Sequence, residues 1–324
     1  MQALTSTMKL TPIVFFAFNR PDTTRHILEA LSRQSKAIPR LIAFCDGARH
    51  QEEHTLVQQV RDLVRAVTWT EVEIIERERN YGLVENIVGG LDDVFSRYER
   101  AIIVEDDILT APHFYESLCL LLDHYQSAHN VFSVGAYPSI IPADLQMYPY
   151  DIIMSMRFSM WGWGTWAERW QAVTPHIRHF KNPYGTPEAV GQVMNPDMAH
   201  LMRELDKNPQ FTWDVQVMVW THSQDYLHAL SRRYLSNNLG LDSGIHFSKP
   251  KNKHFLRFIT HNNPLESVPP QRFAPPKRDE QVIEAVNRYI IAAIRAAKYQ
   301  RFAKLRYYLR RLRHHLQRLW AGTE

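Results

Sequence analysis

The chain has 324 residues, 45% of them hydrophobic and 22% charged, a composition that excludes wholesale disorder and leaves ample chain for a core. Its formal net charge of +4 is unevenly spread. Residues 285–321 hold ten Lys/Arg and no Asp/Glu, so residues 285–324 carry +9 and residues 1–284 carry −5.

Thr11–Phe18 is a short apolar run rich in β-formers and predicts a strand. Asn19-Arg20-Pro21-Asp22 follows, and Thr23–Gln34 carries Ile27, Leu28 and Leu31 at helical spacing, with Pro21 or Asp22 suited to the first turn. Arg40–Cys45 is a second strand, ending in Asp46-Gly47. His54–Val67 reads as a helix and Val72–Ile75 as a third strand. Leu83–Tyr98 is a helix with Leu83, Ile87, Leu91 and Phe95 four apart, and Ala101–Val104 is a strand running straight into Glu105-Asp106-Asp107. This alternation predicts an α/β fold on a mostly parallel mixed sheet flanked by helices. In such folds ligands lie beyond the carboxyl ends of the strands, where Asn19-Arg20, Asp46-Gly47 and Glu105–Asp107 all fall.

Pro112–Tyr125 predicts a helix and Val131–Gly135 an inner strand, after which the rhythm is lost. Ser155–Trp170 is dense in aromatics and glycine, and helical patterns return over Thr186–Leu205 and Trp213–His228. Pro264–Pro276 holds five prolines in thirteen residues, a linker or surface strap. The chain therefore divides into a body (1–263), a Pro-rich linker (264–279) and a basic helical tail (280–324). In the tail, Phe302, Leu305, Leu309, Leu312, Leu316 and Leu319 form an apolar seam with Lys and Arg mostly on the other faces. Such a helix suits an anionic membrane surface, docking onto the acidic body, or pairing between subunits. Cys45 and Cys119 cannot make a disulfide framework, which fits a reducing compartment. No signal-peptide-like or membrane-spanning apolar run is present, so a cytoplasmic protein is expected, peripheral on the inner membrane face through residues 298–320. No nucleic-acid partner is indicated.

Three adjacent carboxylates after an apolar strand repel one another unless a cation or donors compensate, and hard divalent cations want such oxygen ligands. A solvated acidic loop is the competing reading. Asp46-Gly47 serves equally as an acceptor for a base or ribose and as a turn. Arg20 suits phosphate or base as well as bulk solvent, and Asn80-Tyr81-Gly82 suits a helix cap. Trp161, Trp163, Trp166 and Trp170 offer sugar-stacking faces, although Trp166 and Trp170, four apart, look like core. Asp214 opens a helical stretch and is either a cap or a functional carboxylate. Asp242-Ser243-Gly244-Ile245-His246 groups a hydroxyl, a glycine and an imidazole. The GxxxxGK[ST], GxSxG and HExxH motifs are all absent.

In order, these features resemble the inverting GT-A glycosyltransferases, above all the N-acetylglucosaminyltransferase I family of the eukaryotic Golgi and bacterial proteins related to it. The resemblance spans about residues 11–250, and its most specific stretch is IIVEDDILTAPHFYES, Ile102–Ser117. It implies that Arg20, Asp46 and Asn86 hold the uridine of a UDP-sugar. It implies further that Glu105 and Asp106 meet sugar and ribose, and that Asp107 binds Mn2+ or Mg2+ bridging the diphosphate. Asp214 falls at the family's general base, although the family's tandem Asp-Asp is here Asp214-Val215. Ser243 and His246 fall near a diphosphate-closing loop, His246 as a further metal ligand. The resemblance weights the donor towards UDP-GlcNAc and the acceptor towards a glycan or lipid-linked hydroxyl. The family's Golgi membrane anchor is missing, which points to a bacterial-type cytosolic enzyme. Two other classes are compatible with parts of the pattern: a sugar-phosphate nucleotidyltransferase, and a non-catalytic carbohydrate- or membrane-binding module.

Overall fold

The apolar runs of the first hundred residues build one half of a sheet whose inner strands are buried on both faces. A computed structural model describes residues 10–295 apart from 141, 241–264, 267 and 293. Its elements begin with β1 (Ile13–Ala17), α1 (Pro21–Ser32), β2 (Arg40–Cys45), α2 (His54–Arg65), β3 (Glu71–Glu76), α3 (Gly82–Arg97) and β4 (Arg100–Glu105). There follow β5 (Ile108–Thr110), α4 (Phe114–His124), β6 (Val131–Gly135), β7 (Ile152–Ser155), β8 (Trp163–Trp166) and α5 (Ala167–Arg178). The series ends with α6 (Pro187–Val193), α7 (Pro196–Lys207), α8 (Asp214–Ser223), β9 (Leu227–Ser231) and β10 (Ser236–Asn238). Residues 280–292 form a further helix.

The eight-stranded sheet has the order β3-β2-β1-β4-β8-β6-β9-β7, and β10 pairs separately with β5. β1, β2, β3 and β4 are mutually parallel, as are β6 and β9, whereas β8 and β7 run antiparallel to their neighbours. The predicted α/β architecture, a mostly parallel mixed sheet flanked by helices, is what the chain forms. Alternate residues of the strands feed two cores, as the period of two requires. Ile13, Phe15, Ile102 and Val104 pack with α1, α2 and α4, while Val14, Phe16 and Ile103 pack with α3, α5 and α8. Successive strands reach β2 on one side of β1 and β4 on the other. The order thus reverses beside β1, the place where open α/β sheets leave a crevice for ligands.

Two local expectations change. The helix expected over Trp213–His228 stops at Ser223, because Asp225 turns the backbone to φ +58° and Leu227–Ser231 continues as β9. The pattern over Thr186–Leu205 is broken by Asn195-Pro196 into α6 and α7, since proline at the start of a turn opens a new helix. β7 and β8, whose short runs carry no alternation, complete the far half of the sheet.

Over its described residues the Pro-rich segment is a strap held to the body. The Asp151 carboxylate accepts the Gln271 and Arg272 N–H groups at 3.1 and 3.0 Å. The Tyr125 hydroxyl donates to the Ala274 carbonyl at 2.7 Å. The helix at 280–292 then buries Val282, Ala285, Val286, Tyr289 and Ile290 against Tyr137, Leu145, Ile153 and Leu230. Each large apolar side chain so buried contributes about 1.5–3 kcal/mol. The amphipathic seam of residues 302–319 lies outside the described residues. Both cysteines are free and buried, and no helix among the described residues is long and apolar enough to cross a membrane.

Candidate active site

Parallel register brings four strand ends to one edge: Ala17 pairs with Cys45, Cys45 with Glu76, and Phe16 with Glu105. Arg20 follows β1 and opens α1. Its Nη1 donates to Asp106 Oδ1 at 3.2 Å and to Asp107 Oδ2 at 2.6 Å, bridging the crevice where the strand order reverses. Asp106 Oδ2 also accepts the Phe18 N–H at 3.0 Å. Burial disfavours the Arg20 cation, but the Asp106 and Asp107 charges outweigh it and hold the group above its ordinary value. Burial pushes the Asp106 carboxyl up to about 6, with Arg20 pulling it down and Asp107 pushing it up. Glu105 is held well above the usual carboxylate range by burial, then by the like charges of Asp107, Asp106 and Asp214.

Asp214 thus belongs to the same electrostatic cluster although it is more than a hundred residues away in sequence. Trp213 beside it is buried among Phe158, Trp163 and Trp170, with ring centroids 5.8, 5.7 and 6.3 Å away. That packing fixes the start of α8 at the sheet edge. Burial raises the Asp214 carboxyl to about 6, opposed by backbone N–H groups and by Arg157.

Asp46 sits at the end of β2. Its Oδ1 accepts Gly47 N–H (2.9 Å) and Tyr81 N–H (2.8 Å), and its Oδ2 accepts Asn80 Nδ2 (2.9 Å) and Gly82 N–H (3.1 Å). Four donors fill the carboxylate and tie the β2 end to the start of α3, where Gly82 adopts φ +78°. In this arrangement Asp46 positions the loop and Asn80-Tyr81-Gly82 is the cap. Asp46→Asn sets an amide N–H2 against two of these donors. It is expected to cost about 1–3 kcal/mol, read as a lower midpoint in denaturant unfolding, because buried donors lose their acceptor. An unchanged midpoint would remove this positioning role.

Asn86, buried in α3, accepts from Arg77 Nε at 3.3 Å. Arg77 itself lies between the Phe44 and Tyr81 rings, at 5.2 and 4.7 Å from their centroids. Sequence reasoning passed over Arg77, yet its place just past β3 puts it on the same edge as Asp46, which was the available signal.

The edge is closed from the far side by β10. Leu239 N–H donates to the Asp107 carbonyl at 2.7 Å, and Gly240 lies so close that a Cβ there would stand 2.2 Å from Asp107 Oδ2. No pattern in the sequence marks Gly240. Ser243 and His246 lie outside the described residues. Of the four clustered tryptophans, Trp163, Trp166 and Trp170 are core, and Trp161 alone is half-buried.

The structure thus brings Arg20, Glu105, Asp106, Asp107 and Asp214 into one cluster, with Asp46 and Asn86 further along the same edge. Among the described residues no group of three or more His, Cys, Asp or Glu side chains is arranged to hold a metal ion by itself. The excess of carboxylates over Arg20 nevertheless suits a hard cation that takes its remaining oxygens from a ligand.

No family model matches the chain. No curated protein matches it. Among solved structures it is similar to a mannosyltransferase from Pyrobaculum calidifontis in complex with GDP-Man and Mn2+, at 12% identity and a TM-score of 0.43, over 90% of this chain and 76% of that one.

Proposed function

We propose that the chain is a metal-dependent inverting glycosyltransferase of the GT-A type, moving a sugar from a UDP-sugar, with UDP-GlcNAc the first choice, to a hydroxyl of a cell-surface glycan or glycolipid precursor. The observation that carries this reading is the Arg20–Asp106–Asp107 bridge at the switch point with Glu105 and Asp214 beside it. Arg20, Asn86 and the loop held by Asp46 take the nucleoside, while Glu105 and Asp106 take the sugar and ribose hydroxyls. Asp107 would hold Mn2+ or Mg2+, and Ser243 and His246, three and six residues beyond Gly240 in sequence, would meet the diphosphate. A divalent cation bound there would offset the charge of the departing diphosphate.

In the reaction, the acceptor oxygen forms its bond to the anomeric carbon as the bond from that carbon to the diphosphate oxygen breaks. The electron pair leaves with the diphosphate, and the acceptor proton passes to the Asp214 carboxylate. Attack opposite the leaving group inverts the anomeric centre. The test is a panel of UDP- and GDP-sugars with and without Mn2+, following thermal stabilisation and nucleotide release. Metal-dependent stabilisation by UDP-sugars supports the reading, and none with any sugar nucleotide removes it.

We also propose a division into body (1–263), Pro-rich segment (264–279) and C-terminal segment (280–324), of which 280–292 packs on the body and 298–320 forms a basic helix on the inner face of the cytoplasmic membrane, near a lipid-linked acceptor. The chain is expected to co-sediment with anionic liposomes, and a variant lacking 298–324 to stay in the supernatant. Equal binding by both would remove the membrane role.

A further inference from the structure

We infer that Thr212 is a positioning residue for Asp214: its hydroxyl donates to Asp214 Oδ1, fixes the rotation of the carboxylate and keeps it in the charged, proton-accepting form. The inference rests on the reading of Asp214 as general base. Its geometry is independent of any ligand. The Thr212 Oγ1–Asp214 Oδ1 hydrogen bond spans the start of α8, and Thr212 is 8% exposed, so its hydroxyl has little water to turn to. As a β-branched residue it has few χ1 alternatives.

The backbone on both sides of the pair is locked. Gln216 Nε2, one turn on, donates to the Thr212 carbonyl at 3.1 Å and to the Pro209 carbonyl at 2.9 Å. Trp213, between the two residues, is clamped in the Phe158–Trp163–Trp170 cluster. A tripeptide held at its first carbonyl and its middle ring leaves the third residue's carboxylate little freedom beyond its own χ angles, and the hydroxyl restrains those.

The charged groups facing Asp214 from other elements are Glu105 at the end of β4, which raises the cost of a second negative charge, and Arg157 beyond β7, which lowers it. Arg157 is already paired with Asp197 at the start of α7. To the backbone N–H groups of Asp214 and Val215 the Thr212 hydroxyl adds a side-chain donor to the Asp214 carboxylate, and hydrogen bonds to a carboxylate favour its charged form.

The test uses the full chain and the sugar nucleotide whose Mn2+-dependent hydrolysis it supports, with water as acceptor. Thr212→Val is expected to lower kcat roughly ten-fold and to move the acidic limb of the kcat profile upward by about one pH unit, because a base that loses a donor to its anion becomes easier to protonate. The nucleotide KM is expected to stay within about two-fold, and Thr212→Ser to restore the limb. A Thr212→Val chain with an unmoved limb, while Asp214→Asn is inactive, overturns this inference alone. Turnover retained by Asp214→Asn, or no turnover of any UDP- or GDP-sugar by the unaltered chain, overturns the reading beneath it.

Discussion

Replacing Asp214 by asparagine is expected to abolish nearly all turnover while nucleotide affinity stays within about two- to three-fold. The amide has the shape of the carboxylate, and its oxygen can still accept the Thr212 hydroxyl, so the start of α8 and the Trp213 packing are retained. It cannot take the acceptor proton, and removing a positioned general base costs typically 10²–10⁴-fold in rate. The change also deletes a negative charge beside Glu105. Glu105 therefore ionises more readily in the variant, so the negative charge of the cluster is largely kept and the donor site is little disturbed. Steady-state kinetics with calorimetry of the nucleotide separates the two. Near-normal turnover would exclude Asp214 as the base.

A carboxyl raised to about 6 by burial also sets the pH dependence. The base must be ionised to accept a proton, so kcat is expected to fall as pH drops through about 6. Asp106 is raised to about the same value and titrates on the same limb, and the part that shifts in Thr212→Val is the part that belongs to Asp214. Asp214→Asn is the variant that isolates the remaining groups, through the pH profile of nucleotide binding.

The parallel half of the sheet was legible because its strands are continuous apolar runs ending in polar residues. Glu105–Asp107 could be placed at a strand end from Ala101–Val104 alone. Of the far half only β6 was, because β7, β8 and β9 are four or five residues each and draw their pairing from partners distant in sequence. Arg20, Glu105, Asp106, Asp107 and Asp214 could be named, but the bridge from Arg20 across the crevice is a tertiary fact: nothing local says that the residue after β1 meets the residues after β4. The Trp-rich stretch read equally as sugar platform or core, and the sheet took three of its four rings into the interior. Asp46 was visible as a strand-end carboxylate, whereas its saturation by four donors depends on the chain returning through Asn80–Gly82. The helix at 280–292 shows the same limit. Its Val282, Val286 and Ile290 stripe has the helical period, but the surface it packs on, Tyr137, Ile153 and Leu230, is distant in sequence.

Placing a methyl group at Gly240 is expected to damage the site without removing any functional group. Ideal geometry puts the new Cβ 2.2 Å from Asp107 Oδ2 and 3.0 Å from its Cβ and Cγ, so the Asp107 side chain must turn away. Gly240 is itself held by its N–H bond to Asn238 Oδ1 at 2.7 Å, and Leu239 by its bond to the Asp107 carbonyl, so the backbone cannot retreat easily. Turning Asp107 breaks its 2.6 Å bond to Arg20 and moves the carboxylate proposed to hold the cation. Gly240→Ala is therefore expected to raise the Mn2+ concentration for half-maximal nucleotide binding by roughly 10–100-fold, the usual penalty for disturbing the orientation of a metal ligand. Asp107→Ala is expected to lose more, because a misplaced carboxylate still contributes charge whereas an absent one does not. In the double variant the alanine at 240 has no carboxylate to displace, so its added effect is expected to vanish, the non-additivity of residues in direct contact. Equal and additive losses would mean that Gly240 and Asp107 act separately, and unchanged metal dependence in Asp107→Ala would take the cation away from this edge of the sheet.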